Sequence, residues 1–308
     1  MTNRMTLTER RVDRVHAKQP LGPDEQVDDK ALVVVPGHFQ RTDPFLALAE
    51  DWFSSPGFEW HPHRGIETVT MVLDGVLEHG DNLGHVGALE PGDVQWMTAG
   101  RGIIHRELAF RNEHAHILQL WVNLPAADKL VETRYQDLRQ AAHAVHTEPG
   151  VKVQVISGTA AGVTGPALNH HPITGLMLTL DPGTTYAQLL PADERAFAFV
   201  LDGRARIGHR PVEKDQVAWS DPVARGGEGS VLPLRTPDGD RQTRIMLFSG
   251  RPLGEPVAAG GPFVMNSREE IEQAFRDFRS GKFGQVPRAA RLGFTVARLE
   301  DYIQPPTG

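Results

Sequence analysis

The 308-residue sequence contains no cysteine, no long apolar run and no excess of positive charge. The lack of cysteine excludes disulfides, thiolate metal sites, iron–sulfur clusters and a cysteine nucleophile. No window approaches the roughly 20 apolar residues that cross a bilayer, and the start, MTNRMTLTERRVDRVHAK, lacks the apolar segment of a secretory signal. We therefore expect a cytoplasmic protein with no membrane partner.

The charge balance argues against a nucleic-acid partner. The formal net charge is -7, which provides no electrostatic basis for binding a phosphate backbone directly. With 40% apolar and 23% charged residues, the composition is that of an ordinary globular protein. The length favours two domains of about 150 residues each.

Short strand-like segments dominate residues 60–125, where Gly, Asp and Pro separate apolar stretches such as 67-ETVTMVL and 117-ILQLWVNL. Strands this frequent, with little helical periodicity between them, predict an all-β fold of antiparallel sandwich or barrel type. The tetrapeptide VLDG occurs at 72–75 and again at 200–203, and a looser Asp and Trp match follows each copy. Two matches in the same order predict tandem related domains.

One helix is predicted near the C-terminus. Ser267 and Glu270 have the spacing of a capping box, and Gly281 is placed to end the helix. An apolar stripe lies between them, formed by Ile271, Ala274, Phe275 and Phe278. We expect this stripe to pack on a barrel wall.

Two pairs of residues suggest a metal site. His61 and His63 are two residues apart in a strand-like segment, and His105 and Glu107 repeat that spacing downstream. Side chains two apart in a strand face the same side, so two such strands that converge would offer three imidazoles and one carboxylate. This donor set suits Fe, Mn, Ni, Cu or Zn and is poor for Ca or Mg.

A second carboxylate competes for the role of ligand. Glu67 lies four residues after His63 and shares its face if the strand is regular. We favour Glu107 as the ligand, with Glu67 orienting a histidine or facing the cavity. The alternative without a metal-related role is a salt bridge from Glu67 to Arg64 or Arg101.

Three further residues carry weaker expectations. His79 lies in a polar stretch and is expected at the surface. Trp96 and Trp121 are expected in the core of a barrel rather than at a substrate platform.

The blocks 61-HPHRGIETVT, 91-PGDVQWMTAGRGIIH, 119-QLWVNLP and 261-GPFVMN resemble those of the pirins, a family of two-domain cupins. The resemblance implies two tandem cupin-type antiparallel β-barrels. Residues 1–135 would form a metal-binding barrel, and residues 136–308 a metal-free barrel with the C-terminal helix.

The resemblance also implies the site and its cofactor. It makes His61, His63, His105 and Glu107 the ligands of one divalent transition metal per chain. Iron is the expected metal, with Zn, Mn, Ni, Cu and Co as alternatives. Shifting the first VLDG copy onto the second places Leu189 and Pro191 at the positions of His61 and His63, so the second barrel would lack the site.

Two functions follow from the resemblance. Pirins open flavonols such as quercetin with O2, or act as metal-dependent regulators that bind transcription factors or enzymes. The first implies a quercetin 2,3-dioxygenase-type oxidoreductase with a small phenolic or flavonoid substrate, in which Glu107 accepts the proton of the substrate hydroxyl. The alternative is a metal- or redox-dependent regulatory protein with a protein partner. The sequence does not decide between them.

Overall fold

The computed structural model describes residues 7–54, 57–110, 113–223, 229–239 and 241–286. Strands dominate these residues, which confirms the predicted all-β class. Among them, no helix is long and apolar enough to span a membrane.

The strands are numbered in chain order. They are β1 (Thr8–Glu9), β2 (Arg14–Ala17), β3 (Gln19–Pro20), β4 (Asp29–Val34), β5 (Phe45–Phe53), β6 (Phe58–His63), β7 (Ile66–Gly75), β8 (Leu77–Asp81), β9 (Val86–Leu89), β10 (Val94–Thr98), β11 (Ile103–Ala109), β12 (Ala115–Asn123), β13 (Arg134–Leu138), β14 (Ala144–Glu148), β15 (Val151–Ser157), β16 (Thr159–Ala160), β17 (Val163–Thr164), β18 (Ile173–Leu180), β19 (Thr185–Pro191), β20 (Arg195–Asp202), β21 (Arg204–Ile207), β22 (Arg210–Glu213), β23 (Gln216–Ser220), β24 (Gly229–Arg235), β25 (Thr243–Gly250), β26 (Ala258–Gly260) and β27 (Phe263–Met265). The α-helices are α1 (Phe39–Thr42) and α2 (Arg268–Arg279), and two short 3-10 helices cover Ala126–Asp128 and Gln140–Ala142.

The chain forms two compact units. The N-terminal unit comprises Pro20–Arg41, Phe45–Gln140 and the described residues from Gly254 onward. The C-terminal unit comprises the described residues up to Gln19, Thr42–Pro44 and Ala141–Leu253. The predicted division into 1–135 and 136–308 is therefore corrected at both ends, because each terminal segment belongs to the unit more distant in sequence.

The pairing of the terminal segments explains this correction. Strands β1 and β2 pair with β24 and β23 of the C-terminal unit. The buried guanidinium of Arg10 donates to the hydroxyl oxygens of Ser220 and Ser230 in that unit. In the N-terminal unit, Arg64 forms a 2.9 Å ion pair with Asp277 of α2. Hydrogen bonding and charge pairing thus fix each terminus to its unit.

Within each unit, a seven-stranded sheet accompanies a second, smaller sheet. In the N-terminal unit the sheets run β13-β10-β7-β12-β5-β4-β3 and β6-β11-β8-β9. In the C-terminal unit they run β14-β15-β18-β25-β20-β23-β2 and β19-β24-β21-β22, with β1 added beside β24. When the seven-stranded sheet of the C-terminal unit is read from β2 to β14, its strands follow the same order as those of the N-terminal unit from β13 to β3. This match bears out the predicted tandem repeat.

The register of two tryptophans gives a residue-level view of the repeat. Trp96 of β10 pairs with Val69, three residues before the first VLDG. Trp219 of β23 pairs with Phe197, three residues before the second. Both indoles are buried, so the expectation for Trp96 is confirmed.

The C-terminal helix has the predicted start. Ser267 accepts a hydrogen bond from the Glu270 backbone N–H, and the Glu270 carboxylate returns bonds to the start of the helix, which completes the capping box. Ile271 and Ala274 are buried in a cluster with Phe263 and Phe283. All of these residues lie in the N-terminal unit, so the stripe packs there rather than on the second barrel.

Candidate metal centre

Strands β6 and β11 bring the two predicted pairs together. His105 lies directly opposite His61, and a bulge on β6 separates this pair from the next, Glu107 with Phe58. Strand β11 pairs regularly with β8 on its other side, where Glu107 lies opposite His79. Because β11 is regular, His105 and Glu107 project from the same face.

The three imidazoles form a compact triangle. The ring centres of His61 and His105 are 4.3 Å apart, and that of His63 lies 5.0 Å from each. One nitrogen from each ring can be chosen so that all three lie within 4.8 Å of one another. Three histidines grouped in this way could hold a metal ion.

Backbone carbonyl groups fix the tautomers of two of these rings. His61 Nδ1 donates to the Glu59 carbonyl oxygen at 2.7 Å, and His63 Nδ1 donates to the Pro262 carbonyl oxygen at 3.3 Å. Each Nε2 therefore keeps its lone pair for a metal. His63 Nε2 and both ring nitrogens of His105 are buried with no hydrogen-bond partner among the described residues. Buried nitrogen lone pairs that converge on one point fit a divalent transition metal.

Burial also holds the rings in the neutral, metal-binding form. It lowers the pKa of His61, despite the opposing bond to Glu59. Burial, together with the proximity of His61, lowers the pKa of His63 to about 3. The same causes hold the pKa of His105 well below its usual range. All three imidazoles are therefore unprotonated near neutral pH.

Glu107 stands beside the histidine triangle. Its carboxylate accepts hydrogen bonds from Thr70 Oγ1 at 2.9 Å and from Gln119 Nε2 at 2.6 Å. Trp121 Nε1 donates to Gln119 Oε1 at 3.0 Å, which orients the Gln119 amide. Burial raises the pKa of Glu107, and the bonds from Thr70 and Gln119 oppose that rise. The carboxylate is thus positioned by side chains that leave it free lone pairs.

Glu67 occupies a different environment. Strand β6 ends at His63 and β7 begins at Ile66, so the strand is not regular and the shared face expected for Glu67 does not follow. Its carboxylate accepts hydrogen bonds from Trp96 Nε1 at 3.0 Å and Thr98 Oγ1 at 2.7 Å. An ion pair at 3.9 Å joins it to Arg134. Of the two arginines suggested by the sequence, Arg64 pairs with Asp277 and Arg101 with Glu132.

A cavity of about 410 Å³ opens onto the site, within the size range of small-molecule pockets. Its polar lining residues are Lys30, Asp51, His61, His63, Glu107 and Gln119. Its apolar lining comes from Leu32, Pro36, Phe39, Leu46, Ala47, Ala49, Phe58, Trp121, Ala259, Pro262 and Val264, with Gly261 completing the wall.

Trp121 was expected in the core but lines this cavity. Its ring meets the His63 ring edge-on, with centres 5.1 Å apart. His79 was expected at the surface but is fully buried. It contacts Tyr135 of β13, and its Nε2 lies 3.3 Å from Asp137 Oδ2. The register of each strand decides which of its two faces points inward, and the local sequence around Trp121 and His79 does not reveal that register.

Sequence reasoning did not find four residues that shape the site: Pro262, Gln119, Lys30 and Asp51. Pro262 lies 199 residues after His63 and offers only a backbone oxygen, which leaves no sequence signal. Gln119 could have been suspected, because it is a polar residue at an inward position of an apolar strand. Lys30 and Asp51 face each other across β4 and β5, and only the strand register pairs them.

The fold and the site together define a two-domain cupin with three grouped histidines in its N-terminal unit that could hold a metal ion. The chain belongs to the pirin family. The family model described as Pirin matches residues 28–122, and the model described as Pirin C-terminal cupin domain matches residues 175–284. The predicted resemblance and the two-cupin architecture are thereby confirmed.

Individual relatives cover most of the chain. Human Pirin is 43% identical over 247 residues, which are 80% of this chain and 84% of the human protein. A crystal structure from Geobacillus kaustophilus shares 40% identity with a TM-score of 0.78, covering 82% of this chain and all of that one. A structure described as quercetin 2,3-dioxygenase from Acinetobacter baumannii shares 29% identity with a TM-score of 0.79, covering 91% of this chain and all of that one.

Proposed function

We propose that this protein is a metal-dependent dioxygenase that opens flavonols such as quercetin with O2. One observation carries the proposal: three neutral imidazoles lie close together, and two of them, with a positioned carboxylate, line a largely apolar cavity large enough for a small aromatic molecule. The similarity to a quercetin 2,3-dioxygenase supports the substrate class.

His61, His63, His105 and Glu107 would hold the metal, which we propose to be iron. A bound divalent metal supplies Lewis acidity, which lowers the pKa of a hydroxyl group on the substrate. Three nitrogen donors and one oxygen donor suit Fe, Mn, Co, Ni, Cu or Zn, so the choice of iron rests on the family resemblance.

Glu107 is the proposed base. Its raised pKa makes it a better proton acceptor than an ordinary carboxylate, and Thr70 and Gln119 hold it at the cavity. Trp121 lies beside His63 and Phe58 lies beside His61, so both offer aromatic surfaces in the cavity against which a planar substrate can pack. The apolar wall excludes water from the reacting groups.

The test is the decay of quercetin absorbance in air, measured with protein loaded with Fe(II) and with the same protein after chelation. We expect decay with release of CO only in the loaded sample. His105→Ala should abolish both metal content and decay. A matched control is His114→Ala, since His114 is exposed and pairs with Asp74 away from the cavity. A fully loaded protein that consumed no quercetin would contradict the enzymatic proposal and favour the regulatory alternative.

A further inference from the structure

The cavity contains a second polar group besides the candidate metal ligands. Lys30 of β4 lies opposite Asp51 of β5, and Lys30 Nζ is 3.5 Å from Asp51 Oδ1. Both residues line the cavity together with His61 and Glu107. Apart from these four residues, His63 and Gln119, the cavity lining is apolar or glycine, so the pair adds a polar position to the one formed by the candidate metal ligands.

Asp51 is buried without adequate compensation. Its side chain is 3% exposed, whereas that of Lys30 is 22% exposed. Oδ1 of Asp51 has no hydrogen-bond partner among the described residues, and 3.5 Å is long for a bond from an ammonium group. Burial raises the pKa of Asp51 to about 6, although Lys30 opposes this. A buried carboxylate whose main compensation is one long ion pair is costly, and such groups are common at binding sites.

The pair and the histidines share an aromatic neighbour in the cavity. Lys30 Nζ lies 5.2 Å from the centre of the Phe58 ring, and that ring lies 6.3 Å from the ring of His61. An aromatic ligand that packs against Phe58 therefore has both the ammonium group and a candidate metal ligand within its surroundings.

The floor between these ends is made of small residues. Along β5, Ala47, Ala49 and Asp51 all line the cavity, with Ala47 opposite Trp121 and Ala49 opposite Gln119 on β12. Alanine side chains leave room for a flat group to lie against the strand. A planar ligand over the two alanines would meet Trp121 at one end and Asp51 at the other.

We propose that Asp51 and Lys30 form a recognition site for a hydroxyl group on a planar aromatic substrate, remote from the substrate oxygens that face the histidines. This inference rests on the proposed function for the nature of the ligand. A phenolic hydroxyl, with a pKa of about 10, is protonated at neutral pH and can donate to the Asp51 carboxylate at the cavity wall. Its oxygen can accept a hydrogen bond from Lys30. The pair thus selects polyhydroxylated over sparsely hydroxylated ligands.

Anaerobic binding to the metal-loaded protein tests this selection, with quercetin and 3-hydroxyflavone as probes. 3-Hydroxyflavone keeps the hydroxyl and carbonyl groups that can face a metal but lacks the other hydroxyls of quercetin. A hydrogen bond to a charged group is worth about 10- to 100-fold in affinity, so the full-length protein should prefer quercetin by that factor. Asp51→Asn should remove most of the preference while leaving metal content unchanged.

Two further variants complete the design. Glu50→Gln is the matched control, because Glu50 is the neighbouring buried carboxylate but contacts His116 at 2.9 Å and does not line the cavity. It should keep the preference. Lys30→Met, at a more exposed position, should reduce the preference less than Asp51→Asn and serves if the latter does not fold.

The outcomes separate this inference from the proposed function, because binding without O2 requires no turnover. A wild-type protein that binds quercetin more tightly than 3-hydroxyflavone yet consumes neither in air would refute the dioxygenase and leave the recognition site standing. Equal affinities in the wild type, failure to bind either probe, or an Asp51→Asn variant that keeps the whole preference, would overturn the recognition site.

Discussion

The two units share a strand order but fill their interiors differently. In the C-terminal unit the inner surface is a large continuous apolar cluster that includes Leu190, Leu232 and Leu234. In the N-terminal unit, His63 Nε2 and both ring nitrogens of His105 are buried without a hydrogen-bond partner in the described part of the chain, and the apolar residues form smaller clusters. The same scaffold therefore tolerates either a stabilising core or a costly polar centre, and the polar centre offers candidate metal ligands.

The length of the connection after β6 in the N-terminal unit and after β19 in the C-terminal unit contributes to this difference. Two residues separate β6 from β7, whereas three separate β19 from β20. The inward residues of β19 are consequently Gln188 and Leu190, while Leu189 is 59% exposed. The predicted match of Leu189 and Pro191 to His61 and His63 is therefore one position out of register. The shift adds no ligand to the second unit, because residues 188–191 contain no histidine.

The largest expected effect is the complete loss of bound metal when one histidine of the N-terminal unit is replaced. We expect about one transition metal per chain, and none after His105→Ala. The fold should persist in the variant, because the apolar clusters of both units remain. Elemental analysis of protein purified without added metal, together with circular dichroism, checks this. Two equivalents bound with similar affinity would remove the distinction between the units.

A second expectation concerns the two buried carboxylates of the N-terminal unit. Loss of a residue that only orients a metal ligand typically costs about 10- to 100-fold in metal affinity or activity. Glu107→Gln should cost more than this in both metal affinity and turnover. Glu67→Gln should lower them less, because Glu67 contacts Trp96 and Thr98 rather than the histidine triangle. Parallel metal titrations of the two nearly isosteric variants decide the order. The reverse order would identify Glu67 as the ligand.

An exchange of interior residues should shift stability in opposite directions. In metal-free protein, His105→Leu removes two buried ring nitrogens that lack a partner among the described residues, so it should leave the free energy of unfolding unchanged or raise it. Leu190→His places such a group in an apolar core and should lower that free energy by about 1–3 kcal/mol. Urea unfolding after chelation measures both. Equal destabilisation by the two variants would show that the interiors do not differ in this respect.

The smallest expected effect concerns Asp277, which fixes α2 within the N-terminal unit. Hydrogen bonds from Lys282 and then Arg64 hold the pKa of Asp277 far below its usual range. Such a carboxylate stabilises the fold above its unfolded pKa of about 4, and this contribution is lost as pH falls through the lower folded pKa. Asp277→Asn should therefore cost about 1 kcal/mol at pH 7 and progressively less in strong acid. An equal cost at pH 7 and in strong acid would contradict the ionic role.

Much of the fold could be predicted because it depends on local patterns. The strand spacing gave the all-β class, and the capping box gave the start of α2 at Ser267. The histidine pairs were found because two-residue spacing on a strand has a direct geometric meaning. The exchange of the terminal segments could not be predicted, since pairing of β2 with β23 joins residues about 200 apart in sequence.

The missed parts of the site share a physical cause. Asp51 follows Glu50, and the sequence alone does not show which of two adjacent carboxylates faces the cavity, because that depends on strand register. Glu67 shares the histidine face only if the strand runs on without a break. The break between β6 and β7 is marked in the sequence by Gly65 alone, whose φ of 78° lies at the turn. Register and bulges, rather than residue type, limited the prediction.

The bond from His63 Nδ1 to the Pro262 carbonyl oxygen has a consequence for biosynthesis. Chains are made from the N-terminus, and domains generally fold in that order. The three histidines leave the ribosome long before Pro262, which must follow the entire C-terminal unit. During synthesis, His63 therefore lacks the acceptor that fixes its tautomer. The metal centre can reach its final form only after the C-terminal unit has been synthesised, so a chain truncated before residue 254 would carry the three histidines but an immature site.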